Sequence, residues 1–361
     1  MSETTTPIDA EALFNRTIAP EGSDRLDEAK LTAWMETHVE GFVGPLTQSK
    51  FAGGQSNPTY RIDAPSGSYV LRRKPFGPLL PSAHAVDREY KAIAGLYPTG
   101  FPVARPFGLC TDDSVLGAWF YVMGMVNGRT IWDGSLPGST PDQRRAIYNE
   151  MIDTLAALHN VDVEKAGLSE FGKPGNYFGR QVDRWTKQYR LSETETMDSM
   201  EKLINWLPAT LPEQTRTSVV HGDYRIDNMI FAKDDAKVLA VLDWELSTLG
   251  DPLADFTYVA MAWVTDNGGR SGVADLDRKA LGIPELDEMV ERYCAATNRD
   301  SLPDMNWYFA YNFFRLAGIM QGIKKRVIDG TANSAQAKDM SDRVQPLADR
   351  AWAFAVAAGA E

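Results

Sequence analysis

The chain has 361 residues, of which 43% are hydrophobic and 24% charged, as expected for a globular protein with room for two domains or one two-lobed fold. Its formal net charge of −12 argues against non-specific binding to nucleic acid or to an anionic membrane, since both require a cationic surface; a local basic pocket for a phosphate is still compatible. Two distant cysteines, Cys110 and Cys294, argue against a disulfide framework or a zinc site. Without a secretion signal or an apolar run of about 20 residues, we expect a soluble cytoplasmic protein.

The first elements are a helix and several strands. The stretch "SDRLDEAKLTAWMETHV" predicts a helix with Ser23 as its cap and Leu26, Leu31 and Trp34 as its apolar stripe. The following stretch "LTQSKFAGGQSNPTYRIDAPSGSYVLRRK" reads as strand, Gly-rich loop, strand, tight turn and strand.

A second helix is predicted over "PSAHAVDREYKAIAGLYPTG", with Ser82 as its cap and apolar residues at helical spacing: Val86, Tyr90, Ile93 and Tyr97. Two strand-like runs follow, "VARPFGLC" and "AWFYVMGMV", and helices dominate from Thr140 onward. We therefore predict an α+β protein with a β-rich N-lobe, residues 1–127, and a mostly helical C-lobe, residues 128–361.

Inside the helical part lies a hairpin signal. The strand-like runs "NMIFAK" and "KVLAVLDWE" are separated by a pair of aspartates. An antiparallel hairpin centred on Asp235 places Asn228 opposite Leu242 and Asp243. Because Asp223 lies five residues before Asn228, three oxygen-bearing side chains are expected at one end of the hairpin.

This set of side chains suggests phosphoryl transfer. A few hard oxygen ligands that leave room for water and substrate phosphates suit Mg²⁺. Asn228 and Asp243 would hold the metal, while Asp223 would remain free to accept a proton from an attacking hydroxyl.

The segments "HGDYRIDN" and "VLDWE" resemble the catalytic loop and metal-binding strand of the aminoglycoside phosphotransferase and choline kinase group, relatives of protein kinases. The resemblance implies a two-lobed protein-kinase-like fold, with ATP and Mg²⁺ as cofactors and a small-molecule hydroxyl as acceptor. It implies Asp223 as catalytic base and Asn228 and Asp243 as metal ligands. Arg225 stands where many protein kinases have a lysine that neutralises the transferred phosphoryl group.

The N-lobe would then bind ATP. Strand alternation puts Val70, Arg72 and Lys74 on one face of the strand. By the resemblance, Arg72 takes the place of the lysine that contacts the α and β phosphates, and Glu89 on the following helix pairs with it. Arginine keeps the positive charge, but its guanidinium is bulkier and planar, so its reach and geometry differ from those of lysine. Lys74 is therefore an alternative for the phosphate contact.

Other nucleotide contacts are expected on loops. In "FAGGQSN", Gly53, Gly54 and Ser56 would cover the phosphates. In "FYVMGMVNG", which resembles the hinge strand of kinases, the carbonyl of Gly124 and the amide of Val126 would contact the adenine edge.

The resemblance covers most of the chain and can be narrowed. "GGQSNPTY", "LRRKP", "SAHAVDREY", "DWELSTLGDPLADF" and "FRLAGIMQGIKKR" resemble the kinase-like domain fused to certain acyl-CoA dehydrogenases, a branch implicated in phosphorylating hydroxyacyl-CoA. An aminoglycoside is the rival acceptor, because an acidic protein accommodates a polycation. A catalytically inactive nucleotide-binding module is a third possibility, supported by the arginine at position 72.

Several polar residues have a structural explanation beside the functional one. We expect His221, Asp251 and Asp255 to brace loops or cap helices. Arg72–Glu89 could be a structural ion pair only, and His84 either faces solvent or contacts substrate. The helix "FFRLAGIMQGIKKR" is chiefly core, although Arg315 and Gln321 could line an acceptor pocket.

Overall fold

A computed structural model of the chain describes residues 16–52, 57–76, 84–268, 270–330 and 341–361. Among these residues the N-terminal part forms one six-stranded antiparallel sheet, in the order β1-β2-β3-β4-β6-β5. Its strands are β1 Thr17–Ile18, β2 Thr47–Phe51, β3 Thr59–Ala64, β4 Gly67–Arg73, β5 Pro106–Cys110 and β6 Phe120–Gly124.

Helix α1, Glu28–His38, covers one face of this sheet. Its apolar side chains pack with Leu71 and Val122 into a small core of the N-lobe. The predicted cap Ser23 was wrong: Asp27 accepts a hydrogen bond from the backbone N–H of Lys30, and Ser23 lies in a separate 3-10 turn. Serine and aspartate are both favoured at helix N-caps, so the tertiary course of the chain determines which of the two residues caps the helix.

Helix α2, Val86–Leu96, lies on the other side of the sheet. The residue before this helix, Ala85, provides no side-chain cap, and the predicted cap Ser82 lies outside the described residues. Tyr97, predicted as part of the helix, lies in the 3-10 turn that follows its last residue. Buried residues of α2 belong to the main core of the protein together with residues of the C-lobe. The helix that carries Glu89 therefore packs between the two lobes.

The C-terminal part is mainly helical, as predicted. Two small antiparallel sheets interrupt it, in the pairs β7–β10 and β8–β9. The further strands are β7 Ser218–Val220, β8 Met229–Phe231, β9 Val238–Val241 and β10 Thr248–Gly250. The helices are α3 Asp113–Leu116 in the N-lobe, then α4 Pro141–His159, α5 Tyr177–Ser192, α6 Asp198–Ala209, α7 Leu253–Ala260, α8 Arg278–Leu281, α9 Leu286–Ala296, α10 Asn306–Ile328 and α11 Val344–Ala357.

The segment between β6 and α4 connects the lobes and pairs with the hairpin strand β8. The backbone N–H groups of Arg129 and Phe231 each donate to the other residue's carbonyl at 2.8 Å. A Cβ at Gly128 would lie 2.2 Å from the Phe231 carbonyl oxygen, so this approach requires glycine. The division into residues 1–127 and 128–361 stays a prediction.

In the described residues, every helix falls short of the length and apolar character that a bilayer crossing demands.

Candidate active site

The loop after β7 is held by a buried carboxylate of α7. Asp255 accepts hydrogen bonds from the backbone N–H groups of His221, at 2.6 Å, and Gly222, at 2.8 Å. Gly222 has φ +85°, and a Cβ there would lie 2.8 Å from the Leu246 carbonyl oxygen. The structure thus gives Asp255 the loop-bracing role predicted for it, and only glycine fits beside it.

His221 links this loop to the second strand of the hairpin. Its Nδ1 accepts from the backbone N–H of Asp223 at 3.1 Å, and its Nε2 lies 2.7 Å from the Leu242 carbonyl oxygen. Since the first partner can only donate and the second can only accept, His221 carries its proton on Nε2 and is neutral. It braces the loop, as predicted.

The hairpin has the predicted register at its open end. β8 pairs with β9 with Met229 opposite Val241, and the backbone N–H of Leu242 donates to the Asn228 carbonyl at 2.8 Å. A register shift after Ile230 is accommodated nearer the turn.

The three predicted side chains converge at that end. The amide nitrogen of Asn228 donates to Oδ2 of Asp223 at 3.0 Å and to the Asp223 carbonyl at 2.8 Å. Asp243 follows directly after Leu242 and has φ +65°, a conformation that non-glycine residues adopt at a cost. Asn228 and Asp243 line one cavity between the lobes.

Arg72 joins the N-lobe to this end of the hairpin. Its Nε lies 3.2 Å from Oε2 of Glu89, and its Nη2 lies 3.2 Å from Oδ1 of Asp243. Burial acts to lower the pKa of the Arg72 guanidinium, but the charges of Glu89 and Asp243 outweigh it, so the pKa is raised and the side chain is cationic. Lys74, the alternative, instead pairs with Asp87 at 3.6 Å.

Glu89 is the centre of a buried polar network. In addition to its ion pair with Arg72, Glu89 accepts hydrogen bonds from the amide of Asn57, at 2.6 Å, and from the Tyr121 hydroxyl, at 3.0 Å. His84 continues the chain, since its Nδ1 lies 3.1 Å from the Asn57 amide oxygen. Sequence patterns did not predict the roles of Asn57 and Tyr121, because their partner lies 32 residues away in each case.

Arg225 lies between two carboxylates of the catalytic loop. Its Nε is 3.4 Å from Oδ1 of Asp223, and its Nη2 is 3.2 Å from Oδ2 of Asp227. Burial raises the pKa of the Asp227 carboxyl, although Arg225 opposes this shift. Tyr258 is also close, and burial followed by the Asp223 charge raises the pKa of its hydroxyl. Neither Asp227 nor Tyr258 was expected here.

The cavity between the lobes has a volume of about 290 Å³. Gly124 and Val126, the residues predicted to contact adenine, line it together with Arg72. Apolar side chains supply much of the remaining wall: Val70, Ile93, Ala104, Met123, Ile230 and Leu242.

The remaining predicted contacts concern the Gly-rich loop and helix α10. Gly53, Gly54 and Ser56 lie outside the described residues. The Arg315 guanidinium is buried and donates to the Gly222 carbonyl at 2.5 Å, so it supports the catalytic loop from behind.

The suggestion that Gln321 lines an acceptor pocket was wrong. Its side chain is buried and its amide donates to the Ser192 carbonyl, at 2.7 Å, and the Thr194 hydroxyl, at 3.0 Å. The periodicity of α10 placed it on an inward face, but that face packs on the end of α5.

Comparison with known proteins agrees with this geometry. The model of the "phosphotransferase enzyme family" matches residues 47–298, which include the sheet from β2 onward and the whole hairpin. The chain belongs to this family. It is thus a phosphotransferase acting on a hydroxyl acceptor.

The phosphotransferase is also similar to parts of longer curated proteins. It is 44% identical over 332 residues to mouse acyl-CoA dehydrogenase family member 10, covering 90% of this chain and 31% of that protein. It is 37% identical over 338 residues to human acyl-CoA dehydrogenase family member 11, covering 90% of this chain and 42% of that protein. The chain therefore spans a third to two-fifths of these relatives.

Solved structures share the fold. A crystal structure from Ralstonia eutropha, provisionally described as an aminoglycoside phosphotransferase, is 50% identical, with a TM-score of 0.85 over 92% of this chain and 99% of that one. The aminoglycoside phosphotransferase APH(4)-Ia, in a ternary complex with ADP and hygromycin B, has a TM-score of 0.56 at 14% identity, over 91% of this chain and 98% of that one. The second likeness concerns the fold alone.

Proposed function

We propose that this phosphotransferase transfers the γ-phosphate of ATP to a hydroxyl of a small molecule, with Asp223 as base and Asn228 and Asp243 as Mg²⁺ ligands. The observation that carries the proposal is the hydrogen-bonded meeting of Asp223 with Asn228, beside Asp243, at the cavity that Arg72 reaches from the N-lobe. The same equipment argues against a catalytically inactive module.

Asp223 is held ready for proton transfer. Its backbone N–H donates to His221, and one carboxylate oxygen accepts from Asn228, so these two bonds position the carboxylate. It would accept the proton of the acceptor hydroxyl as the acceptor oxygen bonds to the γ-phosphorus and the bond to the β–γ bridging oxygen breaks, releasing ADP. Arg225, 3.4 Å from Asp223, would offset charge on the transferred group.

The donor set fits Mg²⁺. The Asn228 amide uses its nitrogen toward Asp223, and its oxygen accepts no hydrogen bond from the residues described. The described ranges contain no group of three or more His, Cys, Asp or Glu side chains arranged around a metal, so phosphates and water would complete the coordination. When bound, Mg²⁺ would neutralise the ATP phosphates.

For the acceptor we propose a hydroxyacyl-CoA. The support is the 44% identity to acyl-CoA dehydrogenase family member 10. In that longer protein, a dehydrogenase and a phosphotransferase would then both act on acyl thioesters. The rival is an aminoglycoside, supported by the hygromycin B complex of APH(4)-Ia and by the net charge of −12. ADP release measured with 3-hydroxyacyl-CoAs and with aminoglycosides separates them, since activity with aminoglycosides alone would reject the thioester.

The role of Asp223 is tested by Asp223→Asn, which keeps the size of the side chain. We expect the turnover number to fall by about 10²–10⁴-fold, because the amide cannot accept the hydroxyl proton, while the Kd for ATP stays within about twofold. Asp183→Asn, on the exposed surface of α5, is the control and should turn over normally. If Asp223→Asn keeps its turnover, Asp223 is excluded as the base. If the wild-type protein binds ATP but releases no ADP with any acceptor, the inactive nucleotide-binding module is favoured.

A further inference from the structure

A second cavity, of about 170 Å³, opens in the C-lobe beside the catalytic loop. Helix α4, residues 224–226, helix α7 and the segment after it enclose it. Its apolar wall includes Tyr148, Met151, Val259, Met261, Ala262 and Leu316.

Hydrogen bonds fix the walls of this cavity. The Tyr148 hydroxyl donates to the Gly134 carbonyl at 2.7 Å, and the Tyr224 hydroxyl donates to the Met151 carbonyl at 2.8 Å. The segment after α7 is tied down as well, because the Asn267 amide donates to Asp133 at 2.9 Å and to carbonyls of its own loop. The cavity is therefore preformed.

The cavity adjoins the reacting position. Arg225 and Tyr258 both line it, and both interact with Asp223, the first at 3.4 Å. An acceptor whose hydroxyl lies at Asp223 thus has the mouth of this cavity beside it.

The lining discriminates between acceptor classes. Among its described lining residues there is no aspartate or glutamate, and the full charge present is the cation of Arg225. The cavity walls offer a polycation no carboxylate, and the two carboxylates nearby, Asp223 and Asp227, already pair with Arg225. An aliphatic chain, by contrast, would leave water for apolar walls.

We propose that this cavity binds the aliphatic tail of the acceptor beyond the hydroxyl, so that chain length determines specificity. The inference rests on the proposed function for the position of the hydroxyl.

Binding of saturated acyl-CoAs tests the cavity without any phosphoryl transfer, because these molecules lack the hydroxyl. We expect the Kd, measured by calorimetry, to fall up to about fourfold per added methylene and to level off once the chain fills the cavity. A Kd independent of chain length would overturn the assignment.

Ala262→Phe should shorten this dependence, because the larger side chain fills part of the cavity. The longest chains should lose at least about tenfold in affinity while the shortest bind as in wild type. Ala157→Phe, at an exposed position of α4, is the control and should keep the full dependence. Leu316→Trp, from α10, fills the cavity from another side and should give the same result if Ala262→Phe fails to fold.

The outcomes separate the two proposals. Chain-length-dependent binding that Ala262→Phe shortens, without phosphorylation of any acceptor, would support the cavity and reject the proposed function. Phosphorylation of hydroxyacyl-CoAs that is indifferent both to chain length and to Ala262→Phe would reject the cavity and leave the proposed function intact.

Discussion

Replacement of Glu89 by alanine is expected to damage the link between the lobes. The Glu89 side chain is 1% exposed and that of Arg72 is 14% exposed, so the ion pair at 3.2 Å is shielded from water. The substitution also removes the acceptor for the Asn57 amide and the Tyr121 hydroxyl. Three buried polar groups would lose a partner at once.

Removing one partner of a buried ion pair costs about 3–5 kcal/mol, because the other charge loses compensation. Arg72 keeps Asp243 at 3.2 Å, but the Asn57 amide and the Tyr121 hydroxyl lose their acceptor in addition. At about 1.3 °C per kcal/mol for 361 residues, the melting temperature should fall by about 4–7 °C. Glu89→Gln keeps an oxygen that accepts from Asn57 or Tyr121 and should lose less. Arg72 would also lose its fixed position, so the KM for ATP should rise in both variants.

Thermal unfolding followed by circular dichroism measures the first effect, and ADP release at varied ATP measures the second. Glu40→Ala is the matched control: Glu40 also pairs with an arginine, Arg105, at 2.6 Å, but its side chain is 84% exposed. We expect no measurable change there, since exposed ion pairs contribute little. If Glu89→Ala melted within 2 °C of wild type, on the order of 1 kcal/mol, the stabilising role of the buried network would be refuted.

Two further outcomes follow from single positions. Burial raises the pKa of Asp251 to about 6, above its usual 3.8, so its contribution to stability is full below about pH 4 and is lost as the pH rises through 6. In Asp251→Asn the amide oxygen can still accept from the Leu253 N–H. The unfolding free energy of this variant should match that of wild type near pH 4 and exceed it by up to about 3 kcal/mol at pH 7. Denaturant titration at pH 4 and pH 7 checks this, and the same difference from wild type at both pH values would contradict it. Gly128→Ala should destabilise by about 1–3 kcal/mol and raise the KM for ATP, because its Cβ would meet the Phe231 carbonyl at 2.2 Å. Gly322→Ala, in α10 with open space around it, should be neutral or stabilising, and equal losses in both variants would argue against the steric explanation.

The sequence alone predicted which three side chains meet at the open end of the hairpin. Asp223, Asn228 and Asp243 are connected by one short hairpin, whose register follows from strand alternation and the position of its turn. Local geometry therefore sufficed to bring these residues together. The same holds for Arg72 and Val70, since alternation along β4 puts both on the face that lines the cavity between the lobes.

Only the tertiary structure decided what supports these residues. Arg72 meets Asp243 across 171 positions, and Arg315 reaches the Gly222 carbonyl across 93, so both contacts depend on how lobes and helices pack. The same packing turned Gln321 toward the end of α5 and selected Asp27 over Ser23 as a helix cap. Hydrophobic periodicity tells which face of a helix is buried, but not which neighbour covers it, and partners of a buried polar group are set by that neighbour.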